Sequence, residues 1–130
     1  MKTTTTWEQR QEFTSRMDHH HITLDGTRKN GFNPKALLLS ALAACSGIDV
    51  VEILEKKRVT FSDLSIDVET EQTEEHPRVF KDIHMRFMIR TDEENEDKVK
   101  KAIELSLEKY CGVSAMLRKN SPIHYTLQVL

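Results

Sequence analysis

Residues 33–57 read NPKALLLSALAACSGIDVVEILEKK. Asn33 is suited to an N-cap, and Pro34 stands at the first helical position, where a missing N–H costs nothing. From Ala36 to Leu54 the tract is almost uninterruptedly apolar, with Cys45 near its middle. That pattern predicts a helix buried on most sides rather than a surface amphipath. The tract is long enough to raise the question of a membrane span. Asp49 and Glu52 fall inside it, however, and carboxylates are costly in a bilayer. The expectation is therefore the central helix of a soluble core, with no membrane partner.

Working outward, the residues before this helix alternate strand and turn signals. Thr3–Trp7 is β-prone, Glu12–Met17 continues as a second strand, and His21–Leu24 forms a short third. Asp25-Gly26 is a turn signal, and residues 27–32 (TRKNGF) lack an apolar period and read as a loop. His19, His20 and His21 invite a metal reading. Neighbouring strand residues point to opposite faces, so the three cannot converge. No metal or other cofactor is expected.

After the helix, Leu64, Ile66, Val68 and Thr70 alternate with Ser65, Asp67 and Glu69, the mark of a half-buried strand. A polar link over residues 71–77 (EQTEEHP) leads to a second strand, with Val79, Ile83, Met85, Phe87 and Ile89 on one face. The pair reads as an antiparallel hairpin. Thr91 followed by Glu94 has the form of a capping box. The helix it would start carries Val99, Ala102, Ile103, Ser106, Leu107 and Tyr110 at helical spacing. Cys111-Gly112 breaks it, residues 113–119 predict a further short helix, and residues 123–130 a last strand. The expected class is α+β in a single domain over residues 1–130.

Charged residues make up 31% of the chain and the net charge is −2, which gives no electrostatic reason to expect nucleic acid. The start, MKTTTTWEQ, lacks the layout of a signal peptide. A cytoplasmic location follows as the expectation, and structural disulfides are rare there. Cys45 and Cys111 are then inert core thiols, metal ligands or redox groups. Cys45 lies within a helix. Cys111 lies just before a helix start, where free N–H groups favour a thiolate.

Asn33-Pro34, the Ala-rich helix ending Ala43-Ala44-Cys45, and the distant Tyr110-Cys111-Gly112-Val113-Ser114 together resemble the OsmC/Ohr family. The runs 45–51 and 108–111 look most like its OsmC-like branch. The resemblance covers nearly the whole chain. It implies antiparallel sheets packed around a long central Cys-bearing helix, in an intertwined homodimer. It also implies a thiol peroxidase acting on organic hydroperoxides, with Cys45 as peroxidatic thiolate and Cys111 as resolving thiol. In such chemistry a thiolate is oxidised to a sulfenic acid, a second thiol condenses with it, and an external small or protein dithiol restores the pair.

The family site also uses an arginine that steadies the thiolate and a glutamate that orients it. The glutamate directly follows Asn-Pro, and this chain has Lys35 there. Lys35 and Cys45 are about 15 Å apart along one helix, too far for contact within it. Arg28, in the loop before Asn33, is the favoured arginine, with Arg16 the other candidate. Asp49 lies one turn beyond Cys45 on the same face. Paired with an arginine, it would take over the orienting role. The alternative function is a non-catalytic small-molecule-binding or redox-sensing protein. Phe32, Leu37, Met85, Phe87 and Tyr110 are candidate pocket walls, although core packing accounts for each more economically.

Overall fold

The computed structural model describes all 130 residues, which divide into two compact units, 1–39 and 40–130. In the first, β1 (Thr4–Gln9), β2 (Glu12–Met17) and β3 (His20–Asp25) form an antiparallel meander in that order. Asp25 closes it. This carboxylate is 2% exposed and accepts the Thr27 N–H and hydroxyl at 2.8 Å each and the Asn30 N–H at 3.1 Å. These bonds, the Thr27 N–H first, hold the Asp25 carboxyl below the usual carboxylate range. Gly31 is required by space, since a Cβ there would lie 2.5 Å from the Thr23 carbonyl oxygen.

The expected start of the long helix α1 (Pro34–Lys56) is present, with Asn33 Oδ1 accepting the Lys35 N–H at 3.0 Å. Its end is a Schellman motif. The Val59 N–H reaches back to Leu54 O and the Arg58 N–H to Glu55 O, with Arg58 in the left-handed region at φ 58°. Leu54 and Val59 are both buried beside it, the apolar contact that usually accompanies this cap.

Within the second unit, β4 (Ser62–Gln72), β5 (Phe80–Arg90) and β6 (Ile123–Val129) form a sheet in that order. Central β5 alternates strictly, with Ile83, Met85, Phe87 and Ile89 at 1% exposure or less. The side chains of Met85 and Phe87 therefore belong to the core. Helix α2 (Glu96–Leu105) adds Val99, Ala102 and Ile103 to the buried set. It passes into a π turn over Ser106–Tyr110, after which α3 (Gly112–Arg118) begins.

Three expectations are corrected. The sheets are not all antiparallel, because β6 runs parallel to β5, with Ile83 beside Ile123 through Ile89 beside Val129. The helical connection between them returns the chain to the same end of the sheet, and a strand entered that way must run parallel. The capping box is not formed. Thr91 Oγ1 donates to Thr60 O at 2.8 Å, and the helix opens through a 3-10 turn at Glu93–Asn95 with no side-chain cap. Finally, α1 buries one stripe, Leu42, Ser46, Val50 and Leu54 together with Gly47, rather than most of its surface. Leu38 and Ile48 are exposed. Length and hydropathy alone would let α1 cross a membrane.

Candidate functional site

Cys45 sits at mid-length on α1, half-buried, and Cys111 stands between the π turn and α3, only 3% exposed. Both are free thiols, and Cys45 stands near enough to Cys111 to perturb its ionisation. Packing has thus joined two groups separated by residues 46–110 of the chain.

Cys111 is the N-cap of α3, and its Sγ accepts the Ser114 N–H at 3.3 Å. This is the helix-start position that favours a thiolate, and that bond does pull its pKa down. Burial outweighs it. Desolvation, followed by the neighbouring Cys45 side chain, pushes the Cys111 thiol above its ordinary value. α3 is only two turns long and offers one N–H to the sulfur, too little to offset removal from water. Cys111 is thus held protonated.

Beside the thiols lies a hydroxyl cluster. Ser106 Oγ is 2.8 Å from Asp49 Oδ2 and 3.0 Å from Ser46 Oγ. With one proton on each hydroxyl, Ser106 donates to the carboxylate and accepts from Ser46. Asp49 is thus turned toward Ser106, one helical turn beyond Cys45. On the other side, Ser114 Oγ lies 2.9 Å from Leu107 O and accepts from Arg118 Nη2 at 3.1 Å. A cavity of about 500 Å³ opens next to this cluster, with Asp49, Glu52, Lys56 and Lys57 at its polar side and Ile53, Leu105 and Tyr110 at its apolar side.

Of the sequence candidates, the fold brings Cys45, Cys111 and Asp49 together in the second unit. Arg28 belongs to the first unit. It is exposed in the loop that Asp25 organises, at φ 63°, with its N–H on Asp25 O. Arg16 is exposed on β2 opposite Thr4 and His21. The Lys35 backbone N–H belongs to the helix cap. His19, His20 and His21 are exposed. Sequence reasoning passed over Ser46, Ser106, Ser114 and Arg118. The available signal was Ser106 itself, a hydroxyl in an otherwise apolar helical stripe, since buried polar groups need partners.

Comparison with known proteins identifies the family and the fold. The family described as OsmC-like protein matches residues 25–126. Protein YhfA of Escherichia coli K12 is 36% identical over 112 residues, spanning 85% of this chain and 84% of that protein. A hypothetical protein from Aquifex aeolicus superimposes with a TM-score of 0.85 at 28% identity, covering 99% of this chain and 96% of the other. The organic hydroperoxide resistance protein OhrB of Bacillus subtilis shares the fold, with a TM-score of 0.67 at 18% identity over 98% and 96% of the two chains.

Proposed function

Because the chain belongs to the OsmC-like protein family, we infer that it reduces organic hydroperoxides through Cys45 and Cys111. The observation that carries this reading is the proximity of two free thiols of unlike exposure. Cys45 is the more accessible and acts as the nucleophile. Its thiolate attacks one oxygen of ROOH, a sulfur–oxygen bond forms as the O–O bond breaks, and the alkoxide leaves as ROH after taking a proton. Sulfur is oxidised to the sulfenic acid and the peroxide is reduced. The protonated Cys111 then condenses with Cys45–SOH, forming the disulfide and releasing water. A small or protein dithiol returns both thiols by exchange.

Asp49 acts in this scheme through its neighbours rather than as a group that touches the peroxide. Arg28 is the arginine proposed to steady the Cys45 thiolate. The apolar groove of about 670 Å³ between α1 and β4, which includes Ala44, Ile48, Val51 and Ile66, supports a homodimer, since apolar openings of this kind are normally covered. A cytoplasmic location suits a cycle that depends on reducing dithiols.

Stopped-flow consumption of cumene hydroperoxide beside hydrogen peroxide, with a dithiol supplied, tests the reading. Wild type should turn over rapidly with preference for the organic peroxide, and Cys45→Ser should abolish the reaction. Turnover equal to that of free thiol, and unchanged in Cys45→Ser, would remove the proposal. Lys35 in place of the family's glutamate favours one further reading, a redox sensor, whose mark would be a single stoichiometric oxidation without turnover.

A further inference from the structure

We propose that Ser106 is a positioning residue that holds the chain in register for closure of the Cys45–Cys111 disulfide, an inference that rests on the thiol chemistry above. Ser106 is fully buried and is the first residue of the π turn. Its N–H is shared between Ala102 O and Ile103 O, so the α-helical ladder still holds it from behind. Its carbonyl accepts the Cys111 N–H at 2.7 Å, a bond spanning five residues instead of four. Its hydroxyl binds Ser46 and Asp49, the side chains one and four residues beyond Cys45 on α1. One residue therefore ties the backbone of Cys111 to the helical turn of Cys45.

The π turn makes this tie necessary. In ordinary α-helical register the Cys111 N–H would bond Leu107 O, and one residue of register is about 100° of rotation around the helix. Such a slip would swing Cys111 away from Cys45, and a disulfide tolerates only a narrow range of Cβ separation and dihedral. Two contacts oppose the slip. Ser106 Oγ clamps the start of the turn to α1, and Ser114 Oγ lies 2.9 Å from Leu107 O and 3.1 Å from Cys111 O, so that it competes for the carbonyl that the slipped register would use. π turns are uncommon and tend to occur where function demands an offset side chain.

The test uses the full-length reduced chain equilibrated in glutathione redox buffers, where disulfide closure converts one glutathione disulfide into two glutathione thiols. Acid quench and mass spectrometry then give the disulfide fraction. Ser106→Ala should lower the closure constant roughly tenfold to a hundredfold, the loss expected for two buried hydrogen bonds. Ser106→Thr keeps the hydroxyl and should restore most of it. Asp49→Ala should give part of the loss, and the double variant with Ser106→Ala should be no worse than Ser106→Ala alone. After one equivalent of cumene hydroperoxide, Ser106→Ala should accumulate sulfenic acid at Cys45, trapped with dimedone, which a loss of stability alone would not produce. A closure constant within twofold of wild type in Ser106→Ala overturns the proposal. Should Ser106→Ala not fold, an unchanged constant in Asp49→Ala overturns it equally. A wild type that closes no disulfide in any buffer removes the thiol chemistry as well, a result distinct from a wild type and a variant that close equally.

Discussion

In a Cys45→Ser variant the only remaining thiol is Cys111, and it should react with Ellman's reagent at pH 7 at least about 100-fold more slowly than free cysteine. The magnitude follows from two terms. An ordinary thiol of pKa about 8.5 is roughly 3% thiolate at pH 7. Burial, the largest cause of the upward shift at Cys111, survives the substitution and keeps the reactive fraction below that of a free thiol. Access is the second term, because the sulfur is 3% exposed and the reagent must wait for the turn to open. Opening breaks the Cys111 N–H to Ser106 O bond, the Ser114 N–H to Sγ bond and the Ser106–Asp49 bond. At about 1 kcal/mol each, these give about 3 kcal/mol, or roughly 10² in the open population. The assay is the absorbance time course in native buffer beside the same protein in denaturant, with Cys111→Ser run in parallel for Cys45. Native Cys111 reacting within tenfold of free cysteine, or faster than Cys45, would refute the assignment of Cys111 as the protected, resolving thiol.

Two further outcomes follow from the second unit. Tyr125 donates to Glu104 Oε1 at 2.9 Å, and burial, reinforced by that bond and the Glu104 charge, pushes its phenol up to about 12. Because the native state holds this proton more tightly, stability is unaffected below the ordinary phenol pKa of about 10 and falls as pH rises from there to about 12. A spectrophotometric titration of the native protein should show a phenolate appearing near pH 12 that Tyr125→Phe eliminates. Phe87 is fully buried at the centre of β5, with its ring edge-on to Tyr125 at 6.2 Å. Phe87→Ala should cost about 3–5 kcal/mol and lower the melting temperature by roughly 10–20 °C, and a change below about 1 kcal/mol in denaturant titration would contradict its place in the core.

Much of this protein is written in local patterns. Asn33 and Pro34 announce the start of α1, and the alternation from Leu64 to Thr70 and from Ile83 to Ile89 marks β4 with its half-buried face and β5 with its buried one. These features depend on period and on capping within a few residues, so the sequence alone carries them. The cysteine contexts were equally legible as a family resemblance, and the family match over residues 25–126 agrees with it.

What the tertiary structure decided concerns groups far apart in the chain. The capping box failed because Thr91 found the Thr60 carbonyl, a partner that no local pattern names. The direction of β6 depended on where two helices and a π turn delivered the chain, not on the strand's own residues. Cys111 lies at a helix start that by itself favours a thiolate, yet burial against Cys45 reverses the outcome, because desolvation is a property of the packed interior. Ser106 shows the division within one side chain. Its position in an apolar stripe was visible in the sequence, whereas its partners Ser46 and Asp49 exist only once α1 and the π turn are packed together.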